Sequence, residues 1–193
     1  LILSVSLKVV PRPAHDVTVR LVVDEARALE AISRFGDWPV VATAWLDGGL
    51  SIRLSGATAG VESAAKQLGG ERLDGSAAAD FWTAVREHTS AHLHGPVLLR
   101  AVLPPAAPCL AAPSLLVDWH GQRRFIAAGA NPRGLRRSVA ALGGHLTVYR
   151  GETGMAPFPH RSPVLQKLEQ QVREALDPDG VFDRARDHAD DTE

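Results

Sequence analysis

The strongest constraint on how this chain can fold is that it carries the same landmarks twice. Leu54-Ser55-Gly56-Ala57 matches Ala127-Ala128-Gly129-Ala130, and after a helix-length interval Leu68-Gly69-Gly70 matches Leu142-Gly143-Gly144. Around each pair the hydrophobic pattern switches between the alternation of a strand and the three-to-four spacing of a helix. From Val17 the order reads strand 17–23, helix 24–35, strand 40–46, a turn at Asp47-Gly48-Gly49, strand 50–55, helix 57–68 and a short strand near 71–73, which is βαββαβ. A helix over 76–89 follows, then strand 97–103, a Pro-rich connection at 104–113, strands 114–119 and 122–128, a helix capped by Asn131 with Pro132 at its first position, and strand 145–150. The expected class is α+β. Duplicated ferredoxin-like βαββαβ units would build an antiparallel sheet with helices mainly on one face.

Two flanking segments stand outside the repeat. Leu1, Leu3, Val5, Leu7 and Val9 alternate with polar residues and predict a half-buried strand over 1–10, stopped by Pro11-Arg12-Pro13. Ser162 and Pro163 open a helix over 163–176 that places Val164, Leu165, Leu168, Val172 and Leu176 on one face, as a docking helix would. The expected domain plan is therefore an entry segment over 1–13, a two-halved unit over 14–160, and a C-terminal helix and tail over 161–193.

With 193 residues, 45% hydrophobic and 22% charged, the chain has a globular composition and enough length for a core without staples. A net charge of -1 gives no broad nucleic-acid footprint, which needs clustered positive charge. Cys109 is the single cysteine, so no disulfide and no cysteine-built metal site can form within the chain. Pro108-Cys109-Leu110 has no basic neighbour and reads as an inert loop thiol. No stretch is apolar enough for a membrane span, and Leu1-Ile2-Leu3 resembles neither an initiation site nor a signal region, so the sequence reads as starting within a longer protein.

Strand parity sorts the side chains by face. Val17, Val19, Leu21, Val23, Val40, Ala42, Ala44, Leu46, Leu50, Ile52 and Leu54 should lie under helices, leaving Thr18, Arg20, Thr43, Trp45, Ser51 and Arg53 on the open side. In the second half Leu99 and Ala101 turn inward and Arg100 outward, with His145, Thr147 and Tyr149 alternating beside it. Such a face can hold a small anion through a guanidinium fork, or simply meet solvent or another domain. Glu87-His88, His92 and His94 have a spacing that metal ligands use, but Thr89-Ser90 and Gly95-Pro96 mark a helix end and loop, and the reading is solvated histidines and no metal. Gly151-Glu152-Thr153-Gly154 lacks the glycines and following helix of a phosphate loop. Arg123-Arg124, Arg133 and Arg136-Arg137 read as a solvated basic surface.

Val5-Ser6-Leu7-Lys8-Val9-Val10-Pro11-Arg12-Pro13 at the start and Asp177-Pro178-Asp179-Gly180-Val181-Phe182 at the end frame three internal segments: Phe81-Trp82-Thr83-Ala84-Val85-Arg86-Glu87, Leu99-Arg100-Ala101-Val102-Leu103-Pro104-Pro105 and Gly143-Gly144-His145-Leu146-Thr147-Val148-Tyr149-Arg150-Gly151. In this order they resemble the C-terminal half of the FAD-binding subunit of bacterial glycolate oxidase, within the vanillyl-alcohol oxidase/p-cresol methylhydroxylase flavoproteins. One departure is clear: the family tail continues Asn-Pro-Gly-Arg, where this chain has Asp183-Arg184-Ala185-Arg186.

The resemblance implies a substrate or cap domain, with FAD held mainly by a domain upstream and a small 2-hydroxy acid losing hydride to that flavin, here or in a subunit this one supports. It also implies the fragment is inactive by itself. It makes Arg100 or Arg150 the carboxylate anchor, His145 a base or hydrogen-bond donor with Tyr149 beside it, and Trp119 part of the wall, with Phe182 and Arg186 near the cofactor. Implied partners are a second FAD subunit and an iron–sulfur subunit, with a cytoplasmic location or a peripheral one at the inner membrane. The alternative is a non-enzymatic α+β ligand-binding or interaction module.

Overall fold

The computed structural model describes residues 4–9, 11–129, 131–159 and 161–181. The first half runs β1 (His15–Val22), α1 (Glu25–Ser33), β2 (Val40–Leu46), β3 (Gly49–Gly56), α2 (Thr58–Leu68) and β4 (Glu71–Leu73). Next come α3 (Gly75–Glu87), a 3₁₀ turn at Ala91–Leu93, β5 (Leu98–Val102), β6 (Ser114–Asp118), β7 (Arg123–Ala127), α4 (Pro132–Ala141), β8 (His145–Arg150) and α5 (Pro163–Leu176). The helix starts are the ones side-chain caps dictate: Asp24, Asp74, Asn131 and Ser162 each accept from a backbone N–H three residues on. Asp47 and Gly48, both at positive φ, form the tight turn between β2 and β3.

All eight strands join one antiparallel sheet in the order β4-β1-β3-β2-β6-β7-β5-β8. The order of the second half mirrors that of the first, and the halves meet along β2 and β6, where Ala44, Trp45 and Leu46 pair with Asp118, Val117 and Leu116. The repeated Gly-Gly does the same job at both outer corners. Gly69 and Gly143 end a helix at positive φ, and a Cβ on Gly70 or Gly144 would lie 2.5 Å from the carbonyl oxygen of Arg20 or Val102 on the neighbouring strand. Gly144→Ala should therefore cost about 1–3 kcal/mol in urea unfolding. Gly60→Ala, where a Cβ meets nothing in exposed α2, should gain about 0.5–1 kcal/mol in the same assay.

One face carries the main core. Val19, Leu50, Ile52 and Leu54 pack under α1 and α2, and Leu99, Ala101, Ile126 and Leu146 pack with Val139 of α4. In three places the structure departs from expectation. Residues 4–9 form no strand, and Val5, Leu7 and Val9 are exposed, because no neighbouring strand offers the ladder that alternation alone cannot supply. The second half has no helix between β5 and β6, so it is not βαββαβ: Pro104, Pro105, Pro108 and Pro113 withhold the N–H groups a helix needs there. Finally, the face expected to be open is covered by α3, whose Phe81, Trp82 and Val85 pack with Ala44, Leu98, Leu116 and Phe125.

A β-bulge between Val40 and Ala42 also reverses the expected parity along β2. Ala44 turns to α3, while Trp45 packs with the α1/α2 core and its indole N–H donates to Val23 O at 2.8 Å. The predicted open-face position of Trp45 is thereby corrected, and Thr43 goes with it, paired opposite core-facing Ile52.

Candidate functional site

In β5 the alternation sends Leu99 and Ala101 under α4, so Arg100 must point to the α3 side. There it pairs across the sheet with Phe125 of β7 and Thr147 of β8. A second irregularity, between Leu98 and Leu99, inserts an extra residue into β8. That residue is Tyr149, and its ring reaches the same corner, with the Arg100 guanidinium carbon 5.6 Å from the ring centroid. Tyr149 is 41% exposed, so the corner is open to solvent. Among the described residues no carboxylate pairs with Arg100, and its Nε is buried without a hydrogen-bond partner.

The third member comes from α3. His88 ends that helix in the left-handed conformation (φ 54°), which turns its ring onto the sheet. Its Nδ1 lies 2.8 Å from the Tyr149 hydroxyl, and its ring packs 4.6 Å from Phe125 and edge-on to Tyr149 at 5.4 Å. Burial lowers the pKa of this imidazole, and the charges of Arg123 and Arg100 push the same way against weaker opposition from Asp118 and Glu87. Both influences favour the neutral imidazole over the imidazolium.

Beside this corner Asp118, nearly fully buried, accepts from Arg123 Nε at 2.7 Å and from its Nη2 in a forked pair. The Arg123 guanidinium also lies 4.3 Å from the centroid of the Trp119 ring. Trp119 and His120 both sit at positive φ in the β6–β7 turn, a strained arrangement for bulky residues that holds Trp119 59% exposed. A cleft of about 720 Å³ runs between this hairpin and α3, lined among others by Arg53, Trp82, Arg86, Asp118, Trp119 and Arg123.

The structure thus brings Arg100 and Tyr149 together and sets Trp119 one cluster away. His145, at the start of β8, is exposed and pairs opposite Val102, whereas Thr147 is the β8 residue opposite Arg100. Nη2 of Arg150 donates to the backbone carbonyls of both Leu93 and Gly95, which it holds in the turn before β5. Phe182 and Arg186 lie outside the described residues. No group of three or more potential metal ligands occurs among the described residues, and His92 faces Asp47 at 3.6 Å rather than His88. Sequence reasoning missed His88, Asp118 and Arg123. The available signal for His88 was its place at the end of an amphipathic helix, where histidine is one of the few residues enriched in the left-handed region.

Compared with known proteins, the chain is 34% identical over 194 residues to the glycolate oxidase subunit GlcE of Escherichia coli (strain K12), covering 96% of this chain and 53% of GlcE. The chain is a homologue of GlcE. It spans about half the length of that subunit. No family model and no solved structure matches it. The likeness to GlcE runs through the whole described sheet, so both halves, the Arg100 corner and the Asp118–Arg123 pair fall within it.

Proposed function

We propose that this chain is the substrate-side part of an FAD-linked oxidoreductase, oxidising a small 2-hydroxy acid such as glycolate or supporting the subunit that does. The similarity to a glycolate oxidase subunit over nearly the whole chain carries the reading. The Arg100 corner supplies the chemistry that fits it: an unpaired guanidinium can take a carboxylate in a fork, and the Tyr149 hydroxyl lies within the same corner. Further subunits of such an oxidase would be its partners.

Most helix starts and close glycine approaches among the described residues do not suit the FAD diphosphate, α2 being the one α-helix that starts without a side-chain cap. The close approaches of Gly70, Gly144 and Gly151 are onto carbonyls of this chain, leaving no room for a phosphate. At the starts of α1 and α3 the carboxylates of Asp24 and Asp74 occupy the N–H groups an anion would need. The dinucleotide is therefore assigned to a part of the protein beyond this chain, and what these residues contribute is binding and orientation of the acid: Arg100 holds its carboxylate, Tyr149 donates to it, and Trp119 walls the approach.

The 193-residue chain should pass through gel filtration without FAD, whereas the protein including its FAD domain should be yellow and be bleached by glycolate or lactate under anaerobic conditions. Stoichiometric flavin on the chain alone, or a flavin indifferent to every small 2-hydroxy acid alone and in complex with its subunits, contradicts the proposal. In the second case the non-enzymatic module becomes the better account.

A further inference from the structure

We propose that His88 orients the Tyr149 hydroxyl toward a carboxylate held by Arg100 and makes that binding strengthen as the pH falls. The inference rests on the carboxylate-site reading of the Arg100 corner and adds a residue and a regulation to it.

The geometry fixes the roles. Only Nδ1 of His88 reaches Tyr149, at 2.8 Å, while Nε2 is buried with no partner. An orphaned buried N–H is rarer than an orphaned acceptor, so the favoured tautomer carries its proton on Nδ1 and leaves Nε2 bare. Nδ1–H then donates to the phenol oxygen. The phenol hydrogen is left free for a second acceptor, and Arg100 lies over the same ring, its guanidinium carbon 5.6 Å from the centroid. A carboxylate bridging the Arg100 fork and the Tyr149 hydroxyl would complete the corner.

The groups around the imidazole set the sign of the pH effect. Arg100 faces it from β5, Asp118 from β6, Arg123 from β7 and Tyr149 from β8, with Glu87 next to it on α3. Within the corner's own residues, burial and the two guanidinium charges disfavour the imidazolium. A bound carboxylate offsets that repulsion, so binding raises the affinity of His88 for its proton, and by linkage a protonated His88 raises the affinity for carboxylate. Protonation adds its hydrogen at Nε2 and leaves the bond to Tyr149 in place.

Two substitutions separate orientation from charge without straining the backbone, because both suit a left-handed position. His88→Asn keeps a side-chain N–H donor near the Nδ1 position and cannot titrate, whereas His88→Gly removes the ring. The measurement is glycolate binding to the full protein by calorimetry at about pH 8 and about pH 5.5, a range over which a carboxylate stays ionised. The wild type should bind severalfold more tightly at the lower pH. His88→Asn should match wild type at the higher pH within about threefold and show no such gain, and His88→Gly should bind about tenfold more weakly at the higher pH. Equal pH dependence in wild type and His88→Asn, or unchanged binding by His88→Gly, overturns the role of His88. Arg100→Lys tells this failure from a deeper one: if it too binds like wild type, or if the wild type binds no glycolate at all, the carboxylate site itself is wrong.

Discussion

Replacing Arg124 with alanine should remove about 3–5 kcal/mol of stability in urea unfolding, more than any other single arginine in the chain. This guanidinium is fully buried, yet it has no carboxylate in its fork. Its Nη1 and Nη2 donate to Pro108 O and Ala107 O, each at 2.6 Å, and its Nε to Gly121 O at 3.2 Å. Those carbonyls belong to the Pro-rich connection and the β6–β7 turn, where no helix or ladder satisfies them. Removing the fork would leave one buried and two part-buried carbonyls without their donors at once, each costing up to about 1–3 kcal/mol. Arg124→Lys should recover only part of the loss, since one ammonium cannot span three carbonyls in a plane. Arg137→Ala on the exposed face of α4 is the control, expected within about 0.5 kcal/mol of wild type. An Arg124→Ala protein as stable as the control would mean that the connection is held by something else.

Arg100→Lys should leave urea unfolding close to wild type but lower kcat/KM for glycolate-dependent flavin reduction in the full protein by about 100-fold. The two readouts part because Arg100 is only partly buried and makes no side-chain hydrogen bond among the described residues, unlike Arg124 and Arg150. A lysine there keeps the charge and much of the aliphatic stem but offers no parallel pair of N–H groups to a carboxylate. Unchanged turnover with wild-type stability would dismiss Arg100 as the anchor.

Much of the fold was legible because its signals are local. Asp24, Asn131 and Ser162 announce helix starts by the bond each makes to a nearby N–H, and Asp47-Gly48 needs only its own backbone preferences. What failed was information carried by partners. The alternation over residues 1–10 is a strand pattern, but residues 4–9 have no strand beside them. Parity along β2 broke at the bulge after Val40, which no residue type in Val40-Val41-Ala42 signals, and it took Trp45 to the other face. In β5, free of a bulge on its β7 side, the same parity argument placed Arg100 correctly.

The site was legible only where a strand carried it. Arg100 and Tyr149 could be paired in advance because first and last strands neighbour each other in such a unit. His88 arrives from a helix expected elsewhere, and its role depends on α3 crossing the sheet. Arg123 and Arg124 are adjacent and look alike on paper, yet strand alternation sends one to Asp118 and Trp119 and buries the other under the Pro-rich connection.

The seam between β2 and β6 is short, three residue pairs in all, and Asp118 is one of them. The carboxylate that locks Arg123 is therefore set in place from both sides: by Arg123 across the hairpin and by Ala44 from the other half of the molecule. A candidate site that looks confined to residues 88–149 thus has a hinge pin in a strand some seventy residues upstream of Asp118. Substitutions in β2, far from any reacting atom, would be felt at the cleft as a loosening of its floor, and an insertion or deletion before Ala44 would change the site's shape before it changed the stability of either half.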